Sequence, residues 1–324
     1  MGTAVVTAPP QSGARKITKF WRDGDQITHL VTLIFAASVL LVTVFLVYEL
    51  WIHSGPSRAK FGFRFLTGRT WDPVAEQFGA LPFIYGTVLT SFLALLISIP
   101  LGVGAAIFLS ELAPPKLSNA CTFLVELLAA VPSVILGLLA IFTLVPLMRQ
   151  YIEPFLKNTL GFLPWFQGPA YGVGYLTAGI ALAIMTFPFV ISISRESLLA
   201  VPREQREAAL ALGATKWEST WHVVVPFARL GIIGSVFLAL ARALGETMAV
   251  TMVIGNDTGI HASLLSPGYT IAAVIANEFT EATGDVYLSS LVELGLVLFA
   301  LTMVLNGAAQ LLIIATTRKG SRQD

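Results

Sequence analysis

Arg242 and Glu246 stand four residues apart inside an apolar run, residues 231–256. At 1.5 Å per residue that run is about 39 Å long. A four-residue spacing puts both side chains on one helical face. Counted from residue 231, Arg242 is about 16 Å in, near the middle of a bilayer. An isolated charge there costs several kcal/mol, so the two side chains point to a pair or to a polar cavity. Arginine stays protonated and offers a planar fork of donors that fits the oxygens of an anion. A neighbouring carboxylate can hold that arginine when the anion is absent, and the two together make a gate. Thr247, Thr251 and Asn256 add hydroxyls and an amide near Glu246 or toward the outside. The alternative is an ion pair that only locks helices together.

A second group of informative residues lies upstream. Pro202 suits the first turn of a helix, where its missing N–H has no partner to lose. Glu204 adds negative charge to that turn, where it is favoured. Gly213 is placed as a helix-ending glycine able to take a left-handed backbone. The spacing predicts a helix over 202–212, about 16 Å long and marginal alone in water. Ala208, Ala209 and Ala211 give it a low profile beside Leu212, which suits insertion into a groove on another protein. The chain has no Gly-Lys pair and hence no GxxxxGK[ST] phosphate cradle. Any energy from ATP must therefore come through a separate chain.

The elements that position these residues follow from composition. Of 324 residues, 55% are hydrophobic and 12% charged, with a net charge of +1. Soluble domains carry about 25% charged residues, so this chain is integral to a membrane. The lone Cys121 excludes a disulfide framework and a thiolate metal site, and the four histidines share no ligand spacing. About 20 apolar residues cross a bilayer. Six segments meet that test, at about 29–52, 83–110, 119–148, 174–195, 231–256 and 287–315, joined in part by a loop over 196–230. Pro100, Pro132 and Pro188 fall in or near three of them and bend them. Small residues, as in Gly102-Val103-Gly104, allow close helix approach. Residues 1–28 are expected to form a loosely ordered tail, and 316–324 a second tail. Residues 149–173, rich in Pro, Gly and aromatics, suit the outer interface. Glu49 and Glu293 are expected to reach water near outer helix ends, and Glu126 lies near an inner end. Thirteen of the 20 Lys and Arg side chains fall on one side and six on the other, with Arg242 left in the membrane. The positive side faces the cytoplasm, which places both termini and the 196–230 loop there.

Glu207-Ala208-Ala209 is followed by Gly213, six residues after the glutamate, then by Val223, Val225 and Pro226 at offsets of 16, 18 and 19. This pattern resembles the loop signature of ABC-importer permeases, whose loop docks into the ATPase. The run Ala241-Arg242-Ala243-Leu244-Gly245-Glu246-Thr247, continuing through Gly255-Asn256, is similar to the PstC-type permeases of phosphate importers. Glu126 to Ser133, Phe108 to Glu111 and Ile275 to Phe279 add to the likeness, which extends over residues 29–315.

The resemblance implies an all-α integral membrane protein of type I ABC-importer (MetI-like) architecture, with six transmembrane helices and both termini cytoplasmic. It implies a non-catalytic subunit in the bacterial plasma (inner) membrane that forms half of the path for inorganic phosphate. The implied partners are a second, PstA-like permease, a PstB-like ATPase dimer and a periplasmic or extracellular PstS-like phosphate-binding protein. No cofactor is expected in this chain; ATP and Mg belong to the ATPase. Glu207, Ala208, Ala209 and Gly213 then couple to the ATPase. Arg242, Glu246, Thr247, Thr251 and Asn256 line the substrate pathway. Permeases for sulfate or molybdate share the loop signature and are the first alternative. A proton-coupled secondary transporter with Glu246 as proton carrier is the second, but it would need no motor socket.

Overall fold

A computed structural model describes the backbone of residues 12–320, with side chains from 28 to 311. Residues 1–11 of the expected first tail and 321–324 of the second lie outside the described residues. The chain divides into two compact units, residues 1–52 and 53–324. Among the described residues the first unit consists of helix α1 (Ser12–His53) as far as Ile52, and this helix takes in most of the segment expected to be a loose tail.

The second unit opens with two short helices, α2 (Gly55–Phe61) and α3 (Arg64–Thr67), and a two-stranded antiparallel hairpin, β1 (Trp71–Asp72) and β2 (Gln77–Phe78). Helix α4 (Leu81–Ile107) follows and runs into a wide, π-type turn at Phe108–Leu112. Next come α5 (Pro115–Ala130), α6 (Ser133–Leu139), α7 (Val145–Leu147) and α8 (Glu153–Leu160). Helix α9 (Tyr175–Leu199) leads to α10 (Arg203–Ala211) and α11 (Lys216–Ser219). The chain ends with α12 (Val225–Gly245), α13 (Met248–Ile254), α14 (Ile271–Glu278) and α15 (Asp285–Gly320). Among the described residues six helical stretches are long and apolar enough to cross a membrane: 28–53, 81–112, 133–160, 175–199, 216–245 and 285–311.

Two expected spans are broken. The run 119–148 is not one helix, because Val131 and Pro132 are extended between α5 and α6. Proline disfavours the helical region for the residue before it and removes a backbone donor. Leu128 of α5 lines one cavity with Ile97 and Leu101 of α4 and Ile184 of α9, so α5 enters the bundle before the break. The run 231–256 divides at Glu246, which is extended at φ −71°, ψ 127°. The expected 196–230 loop is shorter, since helix resumes at Lys216.

Helices α4 and α9 form the centre and run parallel. Gly86 lies against the Tyr269 backbone with the Tyr175 ring beside it, Gly179 faces Leu93, and Gly102 faces Val190. A Cβ on Gly179 or Gly102 would come within 2.7 Å of its neighbour, so these contacts need glycine. Gly104, by contrast, has open space. The hydroxyls of Thr87, Thr90 and Thr186 are buried and donate to carbonyls four residues back, which keeps them satisfied away from water. Ser194 and Ser235 hydrogen-bond at 2.9 Å between α9 and α12.

The hairpin end of the bundle is closed by an apolar core that includes Phe65, Trp71, Phe78, Phe83, Tyr269, Leu291 and Leu294. Trp71 Nε1 and Tyr287 Oη both donate to Glu278 Oε2 at 2.7 Å. Glu293 does not reach water: it is buried, and the Ser57 hydroxyl bonds it.

Candidate functional site

The residues singled out by sequence occupy two places in the second unit. The first is the connection between α9 and α12. Helix α10 has the expected position, and its end is built as the glycine predicts. Gly213 has φ +90°, its N–H donates to Leu210 O at 3.0 Å, and the Ala214 N–H donates to Ala209 O at 3.1 Å. That pair of bonds is a Schellman end, which satisfies carbonyls the helix leaves open. The chain restarts at once. Thr215 Oγ1 accepts the Glu218 N–H at 3.3 Å, and Glu218 Oε2 accepts the Thr215 N–H at 2.8 Å. The Thr-Lys-Trp-Glu string is a capping-box signal that the sequence reading passed over.

Glu207 and Ala208 are exposed, Ala209 is half-buried, and α10 has no buried residue. Leu212 stands out at 91% exposed, beside the exposed Leu210 and the exposed edge-to-face pair Trp217–Trp221. This is an apolar surface rimmed by charge, of the kind that marks a contact site. Arg206, counted in the sequence only as charge, turns out to hold the helix in place. Its Nη2 lies 2.9 Å from Glu111 Oε1 and its Nε 3.2 Å from Glu111 Oε2.

The second place is the break between α12 and α13. Phe189 of α9 lies ten residues before Leu199, about 15 Å from the end of that helix. The Arg242 guanidinium sits 4.8 Å from the centre of the Phe189 ring, level with the middle of α9. A cation over an aromatic face is attracted by the ring quadrupole, which partly offsets its lost hydration. Phe189 carried no signal in the sequence, because it is 53 positions away.

The expected common helical face is not formed, because Glu246 is extended beyond the end of α12; its carboxylate approaches Arg242 no closer than 3.9 Å, a loose pair. Arg242 is 34% exposed and Glu246 8%. Among the described residues the Arg242 Nε–H has no hydrogen-bond partner. The carboxylate is drawn to the restart of the helix instead, where Oε1 faces the Ala249 N–H at 3.5 Å. Glu246 therefore sits where a helix N-terminus favours negative charge. What remains is an arginine whose side chain is partly exposed although its Nε is buried, next to a carboxylate that also faces the start of α13.

The other pathway candidates divide. Thr247 lies at the break and donates to Gly245 O at 3.3 Å, while Thr251 donates to Thr247 O at 2.7 Å within α13. Asn256 lies beyond α13 in an exposed turn where Gly255 and Asn256 have φ of 94° and 55°. It is not part of the group around Arg242. Helix α13 is held close to α6, since a Cβ on Gly137 would lie 2.6 Å from Met252 Sδ. The two broken spans thus meet beside the arginine-bearing break.

Residues 98–316 match the family described as binding-protein-dependent transport system inner membrane component. The phosphate transport system permease protein PstC of Mesorhizobium japonicum is 47% identical over 294 residues, 90% of each chain. A probable PstC of Methanocaldococcus jannaschii is 37% identical over 299 residues, 90% of this chain and 94% of its own. Among solved structures, a bacterial ABC transporter for import of alginate is 15% identical with TM-score 0.58, covering 90% of this chain and 98% of that one. The methionine ABC transporter MetNI, facing inward, is 17% identical with TM-score 0.52, covering 72% and 94%. These structural likenesses concern the fold.

Proposed function

The chain belongs to the binding-protein-dependent inner-membrane transport components, and among them to the PstC-type phosphate permeases; from that premise we propose how its two sites work. It is a multi-pass permease subunit of an ABC importer for phosphate, with no catalytic role of its own. Residues 203–213 form the helix that docks into a separate, PstB-like ATPase dimer, which binds ATP and Mg. Glu207 and Ala208 present the contact, Ala209 lies at its edge, and Gly213 sets its end. A PstA-like second permease completes the path, and a PstS-like binding protein delivers phosphate from outside.

Arg242 lines the path and meets the anion. Glu246 lies beside it, Thr247 and Thr251 follow along the path, and Asn256 marks the outer exit. The observation that carries this reading is the arginine itself: level with the middle of α9, partly exposed, seated on Phe189 and only loosely paired. A carrier must bind its ion weakly enough to release it, and a nearby carboxylate that repels the anion serves that end. Uptake by proteoliposomes holding the whole complex tests the function. Phosphate entry should require ATP and the binding protein, and excess sulfate or molybdate should leave it unchanged. Inhibition by sulfate or molybdate equal to that by unlabelled phosphate would reassign the substrate.

The excess of Lys and Arg on one side supports a topology with both termini and the expected 196–230 loop in the cytoplasm. With Cys121 replaced, a cysteine at Thr215 should be shielded from an impermeant thiol reagent in intact cells. Cysteines at the exposed positions Val74 and Thr283 should label. Labelling at residue 215 from outside would invert the topology.

A further inference from the structure

We propose that Arg206 and Glu111 form the tie through which movement of the ATPase-docking helix reaches the second and fourth spans. The inference rests on the reading of α10 as that docking helix. Helix α10 has no buried residue, so burial of its own side chains does little to fix its position. The core beneath it, built from Ala106, Ile107, Leu198, Val201, Val224 and Ala228, includes none of its side chains. A polar anchor takes that place. The Arg206 guanidinium donates to both oxygens of Glu111, at the end of the second span, and to two carbonyls at the end of the fourth: Nη2 to Leu198 O at 2.7 Å and Nη1 to Val201 O.

One side chain therefore joins three segments. The pair is mostly shielded, with 20% and 11% of the two side chains exposed, so solvent weakens it little. A forked, two-bond contact to a carboxylate also fixes direction, which a point charge does not. Glu111 lies in the π-type turn Phe108–Leu112, a helical irregularity of the kind often found at functional sites. When the ATPase draws α10, the tie obliges the ends of α4 and α9 to follow. Without it α10 loses its hold on α4 and pulls α9 only through the three-residue link 200–202.

The test is phosphate imported per ATP hydrolysed, in the reconstituted complex with both permeases, the ATPase and the binding protein. Arg206→Ala should lower this ratio about tenfold, within the usual range of coupling between sites. Arg206→Lys should fall between, since an ammonium cannot reproduce the fork. Glu111→Gln leaves both carbonyl contacts and should lower the ratio by a smaller factor; it decides the matter if Arg206→Ala does not assemble. ATPase retention on the membrane separates this from failure of the docking reading, in which Gly213→Val would leave uptake normal. An assembled variant with the wild-type ratio, its uptake falling only with the amount of complex, would overturn the tie.

Discussion

Arg242→Gln should lower phosphate uptake by on the order of 100-fold while the complex assembles normally. That factor corresponds to about 3 kcal/mol, the upper range for a hydrogen bond to a charged group. Glutamine keeps a polar side chain but removes the charge and most of the donors, and it loses the stack on Phe189. Phosphate then crosses the low-dielectric centre with no compensating charge. Glu246→Gln should impair uptake less. It keeps an acceptor for the Ala249 N–H, so α13 retains its start, but it removes the charge that limits anion residence. The decisive variant is the pair Arg242→Met with Glu246→Leu. Buried ion pairs can often be replaced by apolar residues without loss of stability. If the pair only clamps helices, this double variant transports. If Arg242 receives phosphate, it assembles and does not. Near-normal uptake by the assembled double variant would remove the arginine from the pathway.

Gly213→Val should reduce uptake at least tenfold with the protein still in the membrane. Gly213 has φ +90°, a region that β-branched residues enter only with strain. A Cβ there would meet nothing, so the effect is one of backbone and not of crowding. Relief of the strain unwinds the Schellman end and displaces Leu212, the most prominent apolar side chain of the loop. Glu207→Lys should act at the same interface by reversing a charge on an exposed position, leaving the fold untouched. Normal uptake together with normal ATPase stimulation in both variants would rule out residues 203–213 as the docking helix.

The six apolar stretches and the loop helix were legible because they depend on local rules. Length and apolarity reveal a span, Pro202 and Gly213 bracket α10, and each acts within a few residues. The breaks were half legible. Pro132 announced a bend, yet the reading of 119–148 as one span treated it as shape alone. At Glu246 no proline marks the break; what ends α12 is a carboxylate that takes up the start of the next helix. The features that depend on distant partners were not legible. Arg206 meets Glu111 from 95 positions away, and Arg242 finds Phe189 on another helix. Glu293 near a helix end suggested water, but α2 folds over it through Ser57. A sequence shows where a charge sits along a helix, and it does not show what lies across from it.

The parallel pairing of α4 with α9 also sets an order of events during synthesis. The glycine seat at Gly102 fits Val190 and the one at Gly86 fits the backbone of Tyr269, both made after α4. A ribosome adding about 5–20 residues per second needs roughly 5–20 s to pass from the end of α4 to the end of α9. For that interval the second span stands in the bilayer without its main partner, its glycine notches open to lipid. The hydroxyls of Thr87 and Thr90 are turned back onto their own helix, so these two groups need no outside partner during the wait. A nascent chain halted before residue 175 would hold the second span in that unpaired state, ready for whatever the insertion machinery offers it.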